Sequence, residues 1–160
     1  MRVTMIKYIS IFALLLSGCA TSLPPAAPSS VPMERANQII IQTQDEPEDA
    51  YRNIASILTG QGLTISSSDP VLYSITTERK QLDASFIDEA ITSRAIIQIS
   101  SQVRSTSNNT QILLTGRLWI GGAERQIERR TARGQARNAW NALNDLANKY
   151  PNGRLMYARN

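Results

Sequence analysis

The chain predicts an α+β fold: a single domain whose mainly antiparallel sheet carries two helices on one face. Three observations lead there. Short alternating apolar runs separated by polar turns recur through the middle of the sequence. Two stretches with helical apolar spacing stand near its two ends. Each of these has a single apolar stripe, which can be buried only against one side of a sheet. The order read from the residues is β-α-β-β-β-β-α, with a polar strand before the second helix and a short strand after it.

Ile39-Ile40-Ile41, between Gln38 and Gln42, is the first strand, a β-branched run. Asp45-Glu46-Pro47-Glu48-Asp49 then sets acids and a proline at a helix start, where both suit the positive end of the dipole. Ala50, Ile54, Ile57 and Leu58 recur at helical spacing until Gly60 or Gly62 ends the helix. Residues 63–66 predict a second strand, Asp69-Pro70 a turn, and Val71, Tyr73 and Ile75 a third strand running to Glu78. Residues 80–93 fit either a short helix or an irregular crossing. Ile97, Ile99, Ser101 and Val103 alternate as the next strand, and Asn108-Asn109 suits a tight hairpin turn. Ile112, Leu114, Gly116 and Leu118 alternate up to Trp119, and Gly121-Gly122 marks another turn. Residues 124–130 then read as a polar edge strand, whose charges discourage pairing by other chains. In the second helix, residues 135–150, Ala136, Ala139, Trp140, Leu143, Leu146, Ala147 and Tyr150 form the apolar stripe. Asn138, Asn141, Asn144, Asp145 and Asn148 are expected on the other face. Pro151-Asn152-Gly153 stops it.

The beginning of the chain has a different texture. Arg2 and Lys7 precede an uncharged apolar stretch over residues 8–16, followed by small Ser17 and Gly18 and then Cys19, the only cysteine. This is the layout of an export signal, and its core is shorter than the ~20 apolar residues that span a bilayer. Leu16-Ser17-Gly18-Cys19 resembles the lipobox of bacterial lipoproteins. The resemblance implies cleavage before Cys19, a diacylglycerol thioether on its sulfur and a fatty acyl group such as palmitate on the new amino terminus. Two or more chains hold a protein on a membrane, whereas one binds only reversibly. The competing reading is a secreted protein whose cleavage site abuts a cysteine. Ala20 and Thr21 follow with no Asp, which in bacteria resembling the enteric ones implies an outer-membrane address facing the periplasm; the inner membrane is the alternative. The organisation is therefore 1–18 signal peptide, 19–37 lipidated Cys19 and a Pro/Ala/Ser-rich tether, and 38–160 the α+β domain. Pro24, Pro25, Pro28 and Pro32 favour extended backbone in the tether.

The element order, with a long C-terminal helix over an antiparallel sheet, looks like the helix-grip domains of the C-type lipoprotein in the outer-membrane β-barrel assembly machine. That resemblance covers about residues 38–158 in element order alone and assigns no residue a role.

Composition restricts the chemistry. The chain has no histidine, and apart from Lys7 its lysines are Lys80 and Lys149. Without histidine, and with Cys19 acylated, Ser-His-Asp and Cys-His sites and ordinary zinc sites are excluded, and no cofactor or metal is expected. Asp45/Glu46 and Glu48/Asp49 read as a solvated helix entry, which leaves Asp88/Glu89 as the pair for a carboxylate-dependent hydrolase. Gly60-Gln61-Gly62 follows a helix instead of preceding one, so it reads as a helix stop and not a phosphate loop. The net charge is +4, of which Arg2 and Lys7 supply two.

Arg117, Arg125, Arg129, Arg130, Arg133 and Arg137 crowd one stretch whose only acids are Glu124 and Glu128. They read either as a solvated edge strand and loop or as an anion-facing patch for lipid headgroups, an acidic polymer or an acidic partner surface. Trp140 reads as core; Trp119 reads equally as a lid on the core or an exposed contact. The leading expectation is a noncatalytic, membrane-anchored envelope lipoprotein serving as a protein-binding or assembly module. Its lipid would sit on Cys19 and its partner contacts would be Trp119, Arg125, Arg129, Arg130 and Arg133. The alternative is a carrier holding a lipid or glycan as a small ligand between helix and sheet; the third reading is the hydrolase. An extracytoplasmic address disfavours nucleic acid as a partner.

Overall fold

A computed structural model describes residues 27–82, 95–132 and 134–160. The export signal and Cys19, the Asp88/Glu89 pair, most of the ambiguous crossing and Arg133 lie outside the described residues.

The α+β architecture is as the sequence predicts. Eight strands form one antiparallel sheet: β1 (Gln38–Thr43), β2 (Ile65–Asp69), β3 (Ser74–Thr77), β4 (Lys80–Gln81), β5 (Ile96–Ser105), β6 (Thr110–Ile120), β7 (Ala123–Gln126) and β8 (Arg154–Ala158). The spatial order is β2-β3-β5-β6-β1-β8, with β4 beside β5 and β7 beside β6. Two helices, α1 (Pro47–Gly60) and α2 (Gln135–Asn148), cover one face, α1 over β5 and β6 and α2 over β6 and β1.

Register explains why the helices share that face. Ile97 pairs with Leu118, Ile99 with Gly116, Val103 with Ile112, Ile39 with Leu114 and Ile41 with Ile112. Directly opposed residues share a side of the pleat, so these side chains form one apolar surface. Ala50, Ile54 and Leu58 of α1 and Ala139, Trp140, Leu143, Leu146 and Ala147 of α2 close over it. Most of these residues have no exposed area, so the helix–sheet interior of the described residues is filled. The described core draws on residues 36–157. The opposite face is polar and open: Ser74 faces Gln102, Thr76 faces Ser100, and Gln98 faces Arg117.

Local chemistry fixes the boundaries. Gly62 at φ 70° ends α1: its N–H bonds Thr59 O at 2.8 Å and the Leu63 N–H bonds Leu58 O at 3.1 Å. This paired closure packs Leu63 on Leu58, which is why β2 starts later than residue 63. The third strand is shorter than expected. Asp69 Oδ1 accepts the N–H groups of Val71 (2.8 Å) and Leu72 (3.0 Å), holding both in a turn, and Tyr73 sits at φ 48°. Val71 and Leu72 are exposed, and only Ile75 of the anticipated alternation is core. Residues 106–109 form a four-residue loop closed by Thr106 N–H on Asn109 O at 2.8 Å. Gly121 and Gly122, at φ 58° and 85°, make the two-residue turn joining Ile120 to Ala123.

Two further differences shape the surface. The expected edge strand over 124–130 pairs only through Gln126, after which Ile127 turns into the core with no exposed area. The chain before Gln38 is docked, not free, over its last part. Ser29 exchanges two backbone bonds with Tyr157 (2.9 and 2.8 Å), Ala36 is fully buried, and Met33 packs on the core. In α2, Asn138 is buried, although the polar spacing placed it toward solvent.

Candidate functional site

The basic stretch is organised by one glycine. Ile127 bonds through its N–H to Gly116 O at 2.8 Å, and its side chain lies where a Cβ on Gly116 would be. Only a bare Cα on β6 lets Ile127 cross there, so this pair pins the start of a strap over residues 127–131. The strap is held on its other side by the incoming chain. Arg129 N–H donates to Ala36 O at 2.7 Å, and Arg35 N–H, at φ 60°, donates to Arg129 O at 3.0 Å.

The strap and the first three turns of α2 enclose an open groove of about 350 Å³ lined by Pro32, Arg129, Arg130, Arg137, Trp140 and two asparagines, Asn141 and Asn144. Arg137, Asn141 and Asn144 share a face because residues three and four apart stack on a helix. Trp140 forms the floor, its ring 6.1 Å from that of Tyr157. Tyr157 donates its hydroxyl to Asn144 Oδ1 at 2.9 Å. Burial pushes the Tyr157 phenol above its usual pKa, partly offset by the positive charge of Arg129. With its oxygen engaged, Asn144 offers its NH₂, and guanidinium groups carry donors only.

Two acids border the groove. Glu34 lies 3.9 Å from the Arg129 guanidinium and accepts the Thr131 N–H at 3.5 Å, and Glu128 pairs with Arg130. Arg137 is exposed and pairs with no acid among the described residues. Three arginines against two carboxylates leave the groove cationic, with unused donors, an arrangement that binds anions.

Of the residues expected from sequence to form a partner surface, the structure unites Arg129 and Arg130. Arg125 is exposed on β7 outside the groove lining. Trp119 belongs to the opposite, open face of the sheet, across from Ile96 and Glu124. It is 8% exposed, with the Arg79 guanidinium 4.2 Å from the centre of its ring. It is a covered residue, not an exposed contact, because strand alternation turns it away from Leu118 and the cation shields what the strands leave bare. Arg137, part of the arginine cluster in the sequence though not among the expected partner contacts, joins Arg129 and Arg130, and Asn141, Asn144 and Pro32 were not expected at a site; the helical spacing of Arg137, Asn141 and Asn144 was the available signal.

Other chemistry is sparse. Lys80 Nζ donates to Gly62 O at 3.1 Å and Lys149 Nζ to Gln61 Oε1 at 2.5 Å. Among the described residues no group of three or more His, Cys, Asp or Glu could hold a metal ion, and no helix is long and apolar enough to cross a membrane.

No family model matches this sequence, and no curated protein matches it. Among solved structures it is similar to a DUF4468 family protein from Bacteroides ovatus ATCC 8483, at 13% identity and a TM-score of 0.44, over 74% of this chain and 85% of that one. Likeness of that degree transfers no activity.

Proposed function

We propose that this protein is a noncatalytic envelope lipoprotein, anchored through Cys19, whose α+β domain is a protein-binding or assembly module. The observation that carries the reading is the groove in which Arg129, Arg130 and Arg137 converge over Trp140 and Asn144: a preformed, donor-rich surface suited to an acidic partner. Supporting it, the chain has no histidine, its two lysines beyond residue 18 are engaged in hydrogen bonds, and Cys19 follows a lipobox-like run. The carrier alternative would need space between helix and sheet, and there Ile54, Leu58, Leu143 and Leu146 are packed against the strands.

Crosslinking followed by copurification of the full-length protein from its own cells tests the module. A stoichiometric envelope protein is expected with the unaltered chain and is expected to be lost with Arg129→Glu/Arg130→Glu. Cys19→Ser should move the protein out of the membrane fraction, and unchanged partitioning would refute lipid anchorage.

A further inference from the structure

We infer that the groove beside α2 is a receptor for an extended acidic peptide segment of a partner protein, its carboxylates seated on Arg130 and Arg137 and its backbone read by the amides of Asn141 and Asn144. The inference rests on the binding-module reading and names what that module recognises.

Three observations converge on a peptide. A carboxylate of the chain itself already stands at the groove's edge: Pro32 lines the groove, and two residues on, in a turn, Glu34 approaches the Arg129 guanidinium at 3.9 Å and the Thr131 N–H at 3.5 Å. The strap arginines thus stand where an acid on a neighbouring peptide segment can approach them. The lining is also two-part. Arg137 and Asn144 lie seven positions apart on α2, about 10 Å at ~1.5 Å per residue, enough for about three residues of extended peptide. Arg137 stands at one end of that length and the amides of Asn141 and Asn144 follow it along the helix. A lone phosphate would engage the arginines and leave the amides idle, whereas a peptide supplies carboxylates for one and backbone N–H and C=O groups for the other. Finally, Arg137 has no acid partner among the described residues, although it stands in the first turn of α2, where a positive charge opposes the helix dipole. A bound carboxylate would neutralise it.

The same geometry provides a clean variant. Arg137→Glu puts an acid where the dipole favours one, and the side chain is exposed, so the fold should hold or gain stability while the site is lost. The assay uses residues 19–160 with Cys19→Ser, which include all of the described core, and fluorescence polarisation of a labelled eight-residue peptide alternating Glu and Pro. Binding is expected, with none for the matching Gln-Pro peptide. Arg137→Glu should weaken it at least about tenfold, reversing a charge-assisted contact. Arg154→Glu, an exposed charge on β8 outside the groove, should leave it unchanged.

Equal binding of the Gln peptide, or equal loss with Arg154→Glu, would overturn the inference. So would capture of the protein by phosphatidylglycerol vesicles that strip off the peptide, since the site would then be one for lipid headgroups. The outcomes separate this inference from the reading beneath it. A partner that copurifies while the Glu-Pro peptide fails to bind sinks the peptide receptor alone. Peptide binding without any copurifying partner sinks the module instead.

Discussion

Replacing Gly116 with alanine tests the packing that positions the strap. A Cβ there would sit 2.5 Å from Ile127 Cδ1, 3.2 Å from Ile127 Cγ1 and 3.3 Å from the Gln98 carbonyl oxygen. Ile127 has no exposed area, so its side chain has nowhere free to swing. Overpacking of this kind costs about 1–3 kcal/mol, offset by the ~0.5–1 kcal/mol that a strand gains when glycine becomes alanine. Gly116→Ala should therefore lose up to about 2.5 kcal/mol. Ile127→Val alone should lose about 0.5–1.5 kcal/mol from the removed methyl. Together they should not add, because valine lacks the Cδ1 atom that makes the 2.5 Å contact. The double variant is expected to be about 1 kcal/mol more stable than the sum of its parts, beyond the ~0.5 kcal/mol scatter of independent sites. Urea unfolding read at constant m measures all three variants. Additive losses would refute the claim that Gly116 is bare to admit Ile127. The same substitution should weaken acidic-peptide binding although no charge has changed, since Ile127 begins the strap that carries Arg129 and Arg130.

Two other predictions concern single aromatic residues. Tyr150 donates its hydroxyl to Asp45 Oδ2 at 2.6 Å, and burial, reinforced by that carboxylate, raises its pKa from 10.0 to about 12. The folded state holds this proton more tightly than the unfolded one. The resulting stability is fully present below pH 10 and is lost as pH rises toward 12. Urea unfolding between pH 9 and 12 should show the decline, with a shallower slope for Tyr150→Phe; equal slopes would sever the link. Arg79→Ala should uncover Trp119, shifting tryptophan emission to the red and costing about 0.5–1 kcal/mol of cation–π stabilisation. An unchanged spectrum would contradict the covering seen at 4.2 Å.

The strands whose apolar residues alternate strictly were legible because a one-residue slip would have turned Ile97, Ile99, Ile112 and Leu114 to the solvent. The helices were legible for the analogous reason, a single stripe with a proline at one start and glycine after one end. Failures came where a side chain competed with the backbone pattern. Val71 and Tyr73 continue an alternation that Asp69 breaks by taking two backbone N–H groups for itself. Asn138 follows a polar spacing yet is buried. Arg129 and Arg130 could be picked out as a charge cluster, but the groove needs Pro32, 97 positions before Arg129, and α2 on its far wall. Charge density in one stretch carries no information about which distant segment will face it. Trp119 misled because its position at a strand end says nothing of Arg79, which covers it from another strand's flank.

The docked chain before Gln38 gives the groove a consequence for anchorage. Compositionally, residues 19–37 are a spacer, and four prolines would keep it extended. Yet from Ser29 onward this segment bonds β8, reaches the core at Ala36 and supplies Pro32 and Glu34 to the groove. With Cys19 as the anchor, the covalent path from it to Ser29 sets an upper limit of about 35 Å on the distance between them. A partner in the groove would accordingly be held near the bilayer surface. The tether and the partner also share a wall. An incoming carboxylate that takes Arg129 does so against Glu34, whose contacts there, at 3.9 and 3.5 Å, are long for a hydrogen bond. Displacing them costs little, because the stretch around Pro32 stays in place through the backbone bonds of Ser29, Arg35, Ala36 and Asn37.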